Sequence, residues 1–185
     1  MTDHEHTGHE HTGHAHTGPA RTDDVLIDHG LADRTGRRVT LRGVDGGNWR
    51  AVADIAPLDG QRDHAPALAA RYLLLTLHED TWHSLAVYGD ETVTGHVMWA
   101  RDDDGSYWIG GMLVDGSEQG KGLGRAAVRT LAGWLARREG CEVIRLSYEP
   151  GNTAAARLYT SLGFRPTGDL EDTEVVVELP AALAG

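Results

Sequence analysis

The chain lacks the cysteines and the long apolar runs that would place it outside the cell or in a membrane. Cys141 is its only cysteine, so an internal disulfide is excluded and a reducing, cytoplasmic setting is favoured. The longest strongly apolar stretch, residues 65–77, contains Arg71 and is shorter than the ~18 residues that a membrane-spanning helix needs. The N-terminus has neither the basic start nor the apolar segment of a secretory signal. We therefore expect a cytoplasmic protein with no membrane partner.

Basic residues are also scarce in this chain. Lysine occurs once, at Lys121, and 17 basic residues stand against 28 acidic ones, which gives a formal charge of −11. Such a balance repels nucleic acid and favours cationic partners. Hydrophobic residues make up 40% of the sequence and charged residues 24%, which is typical of a soluble globular protein, and 185 residues suit one domain with a tail.

Residues 4–18 consist of three pentapeptide repeats, each with two histidines and a Thr-Gly end. The repeats have no apolar face to bury, and ordering them would cost about 1 to 2 kcal/mol per residue. Residues 1–36 are therefore predicted to be a disordered tail and residues 37–185 the folded domain. Clustered imidazoles can bind a divalent metal such as zinc, nickel, copper or cobalt, and the spacing selects none of them. The candidate ligands are His4, His6, His9, His11, His14 and His16, with Glu5 and Glu10 in support; no metal site is assigned in the fold.

Hydrophobic periodicity and turn residues predict the secondary structure of the folded domain. Strands are expected at residues 39–41, 84–88, 92–100, 107–114, 143–148, near 164 and at 173–179, and helices at 49–55, 65–77, 124–139 and 152–162. The resulting order, βααβββαβαββ, predicts an α/β fold in which a mixed, mostly antiparallel sheet of about seven strands carries four helices.

A glycine-rich loop, Gln119-Gly120-Lys121-Gly122-Leu123-Gly124-Arg125, lies between a predicted strand and a predicted helix. Glycines at alternate positions let successive backbone N–H groups point at one anion, and the helix N-terminus adds its positive end. Lys121 and Arg125 add positive charge in an otherwise acidic protein. The loop is therefore predicted to bind phosphate.

Two nucleotide-binding patterns fit this loop less well. The sequence pattern of a nucleotide triphosphate P-loop does not match. Gly116 and Gly120 enclose three residues rather than four, and no Ser or Thr follows Lys121. A dinucleotide fingerprint matches residues 122–127, with Glu149 near the expected distance. Against it, the glycines begin several residues after the strand, and too little chain follows Glu149 for a second nucleotide-binding half.

The loop and a second motif, Asn152-Thr153-Ala154-Ala155-Ala156-Arg157-Leu158-Tyr159 running to Gly163-Phe164, resemble the GNAT superfamily of acetyl-CoA-dependent N-acetyltransferases. The resemblance covers about residues 39–179 and extends to the order of the elements. It implies that Met112, Leu113 and Val114 hydrogen-bond the pantetheine arm through their backbone, and that residues 119–125, with Asn152, hold the coenzyme. It also implies that Tyr159 faces the coenzyme sulfur and that acetyl-CoA is the acetyl donor.

Within the superfamily, residues 147–152 and their continuation to Phe164 look most similar to bacterial diamine and polyamine acetyltransferases. This implies a small cationic amine as the acceptor. Some polyamine enzymes carry a glutamate on the strand before the loop, whereas this chain has Ile109, Gly110 and Gly111 there. The usual candidate for the general base is therefore missing.

The chemistry of acetyl transfer suggests roles for two residues. An alkylamine has a pKa of about 10.4, so keeping it neutral at pH 7 costs about 4 to 5 kcal/mol unless a base or a desolvating pocket assists. Glu149, at the end of a strand, is our candidate base, and a water chain is the alternative. Tyr159, expected to lie off the most buried stripe of its helix, is our candidate acid for the leaving thiolate. A backbone N–H near Val114 is expected to meet the oxyanion.

Other polar residues are assigned more loosely. Several acids are interpreted either as solvated turn residues or as partners of a distant ammonium of the acceptor: Glu79, Asp80, Asp102, Asp103 and Asp104. His78, His83 and His96 share no spacing and are interpreted as surface or hydrogen-bonded histidines, with His83 near the cleft. Alternative functions are acetylation of a protein N-terminus or an antibiotic, or a metal-handling protein that senses acyl-CoA. A homodimer is common among similar enzymes.

Overall fold

The computed structural model of the chain describes residues 25–185. The predicted disorder of residues 1–24, and all six candidate metal ligands of the tail, lie outside this part. Within residues 25–185, no helix is both long and apolar enough to cross a membrane, and no group of three or more His, Cys, Asp or Glu side chains is arranged to hold a metal ion.

Eight strands and four helices make up the described fold. The strands are β1 (Leu26–Ile27), β2 (Val39–Gly43), β3 (His83–Gly89), β4 (Thr92–Arg101), β5 (Tyr107–Val114), β6 (Val143–Tyr148), β7 (Arg165–Glu171) and β8 (Glu174–Pro180). The helices are α1 (Trp49–Ala53), α2 (Ala70–His78), α3 (Leu123–Leu135) and α4 (Thr153–Ser161), and single 3-10 turns occur at Asp59–Gln61, Gly116–Glu118 and Ala181–Leu183. All strands join one sheet in the order β1-β2-β3-β4-β5-β6-β8-β7.

The predicted mixed, mostly antiparallel sheet is confirmed, because among the strands of residues 25–185 only β5 and β6 pair in parallel. The described sheet has eight strands, where about seven were predicted. The additional strand, β1, pairs Leu26 with Arg42 and Ile27 with Leu41. Two residues are too few to show an alternating pattern, so only pairing with β2 reveals them. Ordered chain therefore precedes residue 37, where the sequence predicts the domain to begin.

Helices cover both faces of the sheet, and β3 shows how its residues are divided. Leu85 and Val87 face the large core beneath α3, whereas Ala86 and Tyr88 face the smaller cluster that contains Val52 of α1. Successive side chains of a strand point to opposite faces, so an apolar run such as β3 is expected where both faces are covered.

Helix boundaries follow local contacts. The predicted helix at residues 65–77 begins later, at Ala70, because the buried Ala69 donates its N–H to the carbonyl of Ile55 at 2.9 Å and ties the preceding turn to the end of α1. The predicted cap of α4 is confirmed: Asn152 accepts the N–H of Ala155 at 3.0 Å.

Both margins of the sheet are irregular. β1 is two residues long, and most residues of β7 are exposed. The register between β7 and β8 shifts between Pro166 and Leu170, where Gly168 has a φ of +93°.

Candidate active site

The middle of the sheet opens into a cleft because β5 and β6 diverge. They pair only at Tyr107 with Ile144 and at Trp108 with Arg145, near the beginning of each strand. Beyond these residues, the carboxyl ends of the two parallel strands separate. Ligands of open α/β sheets bind beyond the carboxyl ends of such strands, so this gap is the candidate site.

A bulge in β5 shapes one wall of the cleft. Gly110 is opposite Met98, and Leu113 is opposite His96. Between these two pairs β5 therefore contains one more residue than β4. Gly111 has a φ of +53°, and a Cβ there would lie 2.9 Å from the Met98 side chain. Glycine is therefore required, and the bulge bends the strand just before Met112, Leu113 and Val114.

The glycine loop forms the opposite end of the cleft. Gly120 and Gly122 have φ values of +76° and +90°, and α3 begins at Leu123. Within the described chain, none of the backbone N–H groups of residues 119–125 donates to a protein acceptor. Free amides at a helix N-terminus favour an anion.

These elements enclose a cavity of about 480 Å³, which we call the glycine-loop cavity. Ten of the predicted coenzyme-binding residues line it: Met112, Leu113, Val114, Gln119, Gly120, Gly122, Leu123, Gly124, Arg125 and Asn152. Lys121 is not among its lining residues. The structure thus brings together nearly all of the predicted set.

Lys121 braces the loop from outside the cavity. Its ammonium is 3.1 Å from Glu118, and its carbonyl accepts the N–H of Arg34 at 2.7 Å. Arg34 lines the glycine-loop cavity in its place. Sequence reasoning missed Arg34 because it lies in the segment assigned to the disordered tail.

An ion-pair network holds this N-terminal segment against the loop. Arg37 lies 2.6 Å from Glu118 and 2.9 Å from Asp33, whose side chain is fully buried. Burial raises the pKa of Asp33, but hydrogen bonds from Thr35 and Arg37 outweigh it and hold the pKa at about 2. The ionised carboxylate therefore persists at physiological pH and fixes the segment.

Gln119 holds the loop on its other side. Its amide and that of Gln61 donate to each other at 2.7 and 3.0 Å, and Gln119 also donates to the Val114 carbonyl at 3.1 Å. The side chain of Gln119 thus joins the end of β5 to the 3-10 turn at Asp59–Gln61.

A second cavity of about 440 Å³ lies on the other side of the same cleft, and we call it the acidic cavity. Its lining includes four carboxylates, Asp102, Glu149, Glu171 and Glu174, beside Arg101 and His64.

The predicted polar residues are only partly found in the acidic cavity. Glu149 and Asp102 line it. Four other predicted acids do not: Glu79, Asp80, Asp103 and Asp104. His83 lines neither cavity and lies 4.3 Å from the Trp99 ring.

Glu171 and Glu174 were missed by sequence reasoning. They form an opposed pair on the β7–β8 hairpin, and the Ser147 hydroxyl of β6 donates to Glu174. Because β8 is inserted between β6 and β7, the hairpin brings both carboxylates to the cleft. No signal in the sequence specifies this strand order.

Tyr159 stands where the two cavities meet, since both include it in their lining. It is 8% exposed, and its ring lies 5.8 Å from that of Tyr148 and 6.0 Å from that of Phe164. The expectation that it lies off the buried stripe is wrong: it is the buried residue of α4, because it follows Ala155 by one turn on the same face.

The phenol of Tyr159 is held in its protonated form. Burial raises its pKa well above the ordinary value, and the nearby Tyr72 and Glu174 raise it further. The hydroxyl makes no hydrogen bond within residues 25–185 and is not among the enclosed polar atoms of this part that lack a partner, so it reaches the cleft. It is therefore free to donate a proton to a group in the cleft.

The chain is similar to one protein family and to several characterised proteins. The model of the acetyltransferase (GNAT) family matches residues 49–164. The spermine/spermidine N(1)-acetyltransferase of Bacillus subtilis (strain 168) is 32% identical over 94 residues, which cover 47% of this chain and 62% of that protein. The L-2,4-diaminobutyric acid acetyltransferase of Streptomyces coelicolor is 35% identical over 79 residues, 43% of this chain and 45% of that protein. The chain thus spans less than two thirds of the length of these curated relatives.

Solved structures share the fold. The spermidine N-acetyltransferase of Vibrio cholerae, in complex with CoA and spermine, superposes with a TM-score of 0.63 at 16% identity, over 79% of this chain and 97% of that one. An identity this low establishes the architecture alone.

Proposed function

The chain belongs to the acetyltransferase (GNAT) family, and we propose that it transfers the acetyl group of acetyl-CoA to a primary amine, with diamines or polyamines as the acceptor class. The observation that carries the proposal is the position of Tyr159 between the glycine-loop cavity and the acidic cavity. One cavity suits a phosphate-bearing donor and the other a cationic acceptor, so both substrates meet at one phenol.

The donor side rests on free backbone groups. The amides of residues 119–125 make no hydrogen bond within the described chain and lie around the beginning of α3, so they suit a diphosphate. Arg34 and Arg125 line the same cavity. Because β6 diverges, the edge of β5 at Met112, Leu113 and Val114 is open to an extended chain with amide groups, such as pantetheine.

The acceptor side rests on charge. Four carboxylates line the acidic cavity, and the protein as a whole carries a formal charge of −11, so a cation is attracted to the cleft and held there. The curated relatives bear the names of amine acetyltransferases, one for spermine and spermidine and one for diaminobutyric acid. Both observations support an acceptor with more than one amino group.

The proposed reaction assigns one proton to each side of the cleft. Glu149 accepts a proton from the ammonium or from the adduct that forms when the amine nitrogen attacks the thioester carbonyl. The attack forms the C–N bond and a tetrahedral oxyanion; when this adduct collapses, the C–S bond breaks and Tyr159 donates its phenolic proton to the departing thiolate. A backbone N–H near Val114 stabilises the oxyanion between these steps.

Binding and turnover test the proposal directly. Calorimetry of the full chain should show binding of acetyl-CoA, and thiol release should exceed background with spermidine, spermine and 2,4-diaminobutyrate. Absence of acetyl-CoA binding would overturn the enzyme assignment, and turnover restricted to a peptide N-terminus or to kanamycin would overturn the acceptor class. A chain without residues 1–20 should keep its turnover; its loss would favour the metal-handling alternative.

Two glutamates of the acidic cavity provide a matched pair of variants. Glu149→Gln should lower kcat about 10-fold or more on every amine, because it removes the proton acceptor. Glu174→Gln should raise KM for a diamine about 10-fold and leave KM for a monoamine unchanged, because it removes a partner of the second ammonium. Steady-state kinetics with 1,4-diaminobutane and butylamine make the comparison. Equal effects on both amines in the Glu174 variant would remove its role in recognition.

A further inference from the structure

His96 is a buried histidine that the proposed mechanism does not use. It lies in β4, its exposed fraction is 0%, and both ring nitrogens make contacts. Nδ1 is 2.9 Å from the Gly111 carbonyl oxygen, and Nε2 is 2.9 Å from the Ser84 hydroxyl. A carbonyl only accepts hydrogen bonds, so Nδ1 carries the proton and Nε2 of the neutral ring accepts from Ser84.

The surrounding contacts stabilise this tautomer. Burial lowers the pKa of His96 to about 4, so the ring is neutral at physiological pH. The Ser84 hydroxyl lies 3.2 Å from that of Thr76, and the Tyr72 ring stacks on the imidazole at 5.4 Å. Two residues of α2 and one of β3 therefore set the orientation of the ring.

The partner of His96 is the bulged residue of β5. Gly111 and Met112 together lie opposite Val97, because Gly110 pairs with Met98 and Leu113 pairs with His96. A bulge leaves its extra residue without the regular strand hydrogen bonds. The imidazole donates to the Gly111 carbonyl within this bulge, and it thereby fixes the direction of the Gly111 peptide group.

We propose that His96 is a positioning residue that locks the β5 bulge, so that Met112 and the two residues after it face the acyl donor. This inference rests on the proposed function of the β5 edge. His96 acts through Gly111 and touches neither substrate. Without this hydrogen bond, β5 is free to shift its register, and a displacement of about 1 Å at a catalytic edge can cost 100-fold in rate.

A matched pair of substitutions separates this role from simple filling of the core. The amide nitrogen of asparagine takes the place of Nδ1, whereas that of glutamine takes the place of Nε2. Both substitutions remove the stacking on Tyr72. His96→Asn therefore keeps the donor for the Gly111 carbonyl, and His96→Gln loses it while keeping a polar partner for Ser84.

The test measures backbone order and kinetics in both full-length variants, after circular dichroism shows that they fold. Hydrogen exchange of the β5 peptide should be faster in His96→Gln than in His96→Asn. The Gln variant should lose about 10-fold or more in kcat, and the Asn variant about threefold or less, at similar KM for the amine. Equal exchange and equal kcat in the two variants would overturn the proposal.

Two further measurements keep the test decisive. If either variant fails to fold, Ser84→Ala replaces it: loss of the partner of Nε2 should accelerate β5 exchange, and unchanged exchange would contradict the network. In the wild-type chain, ¹⁵N NMR should show the His96 proton on Nδ1. Exchange and NMR need no turnover, so their outcome is independent of whether the proposed acetyl transfer is found.

Discussion

Replacement of Tyr159 by phenylalanine is expected to lower kcat about 100-fold or more while the affinity for acetyl-CoA stays within about twofold. The phenol stands at the junction of the two cavities, and a general acid in this position contributes only as the thiolate departs. Its removal should therefore affect kcat and leave the binding of the donor unchanged. Single-turnover kinetics and calorimetry separate the two quantities.

The Tyr159→Phe substitution removes the hydroxyl without breaking a hydrogen bond of the protein, because the hydroxyl has no partner in the described part of the chain. Phenylalanine keeps the packing against Tyr148 and Phe164 and leaves no polar group of the protein unpaired. The free energy of unfolding should change by no more than about 0.5 kcal/mol. Tyr107→Phe is the control. Tyr107 is buried outside both cavities, so removal of its hydroxyl should not change kcat.

The pH profile gives an independent check on Tyr159. Because its pKa is raised by burial, the phenol stays protonated across the range in which free tyrosine begins to ionise. The rate should therefore show no alkaline decline near pH 9 to 10 from this group. A rate in the phenylalanine variant close to that of the wild type would remove Tyr159 from the mechanism.

Acidification from pH 7 to pH 4 is expected to lower the free energy of unfolding by about 3 kcal/mol through His96 alone. The ordinary pKa of histidine is 6.5, and burial lowers that of His96 to about 4. Above pH 6.5 the ring is neutral in both states. Between pH 6.5 and pH 4 the unfolded chain binds a proton that the folded chain does not, so stability falls with pH and levels off below pH 4.

Urea unfolding at pH 7 and pH 4 measures this loss, and His96→Asn is the reference. The variant lacks the titrating ring, so its stability should depend less on pH by about 3 kcal/mol over this interval. Tyr72, stacked on the ring, has a raised pKa and stays uncharged here. Asp33, with its pKa at about 2, contributes only at lower pH. An equal loss in both proteins would show that His96 is not kept neutral.

Local patterns of the sequence predicted most of the fold. β6 begins and ends where the apolar alternation does, and Asn152 caps α4 as its position before the helix indicates. The glycine loop was also predictable, since the need for positive φ at Gly120 and Gly122 follows from residue type and spacing. These features depend on neighbours along the chain.

Features that depend on distant pairing were not predictable. Glu171 and Glu174 reach the cleft through the insertion of β8 beside β6, and Arg34 reaches the loop through a hydrogen bond to Lys121. The role of His96 follows from a one-residue shift between β4 and β5. A shift of register leaves the hydrophobic pattern of each strand unchanged, so the sequence alone does not reveal it.

The irregular margins of the sheet bear on how copies of this protein meet at high concentration. An outer strand with a long row of free amides and carbonyls recruits further strands and starts aggregation. Here one margin ends in the two residues of β1, and the other carries Pro166, the turned Gly168 and several charged side chains. In the described residues, neither margin therefore offers a long regular strand for edge-to-edge pairing, although the same sheet is split between β5 and β6 at the candidate cleft.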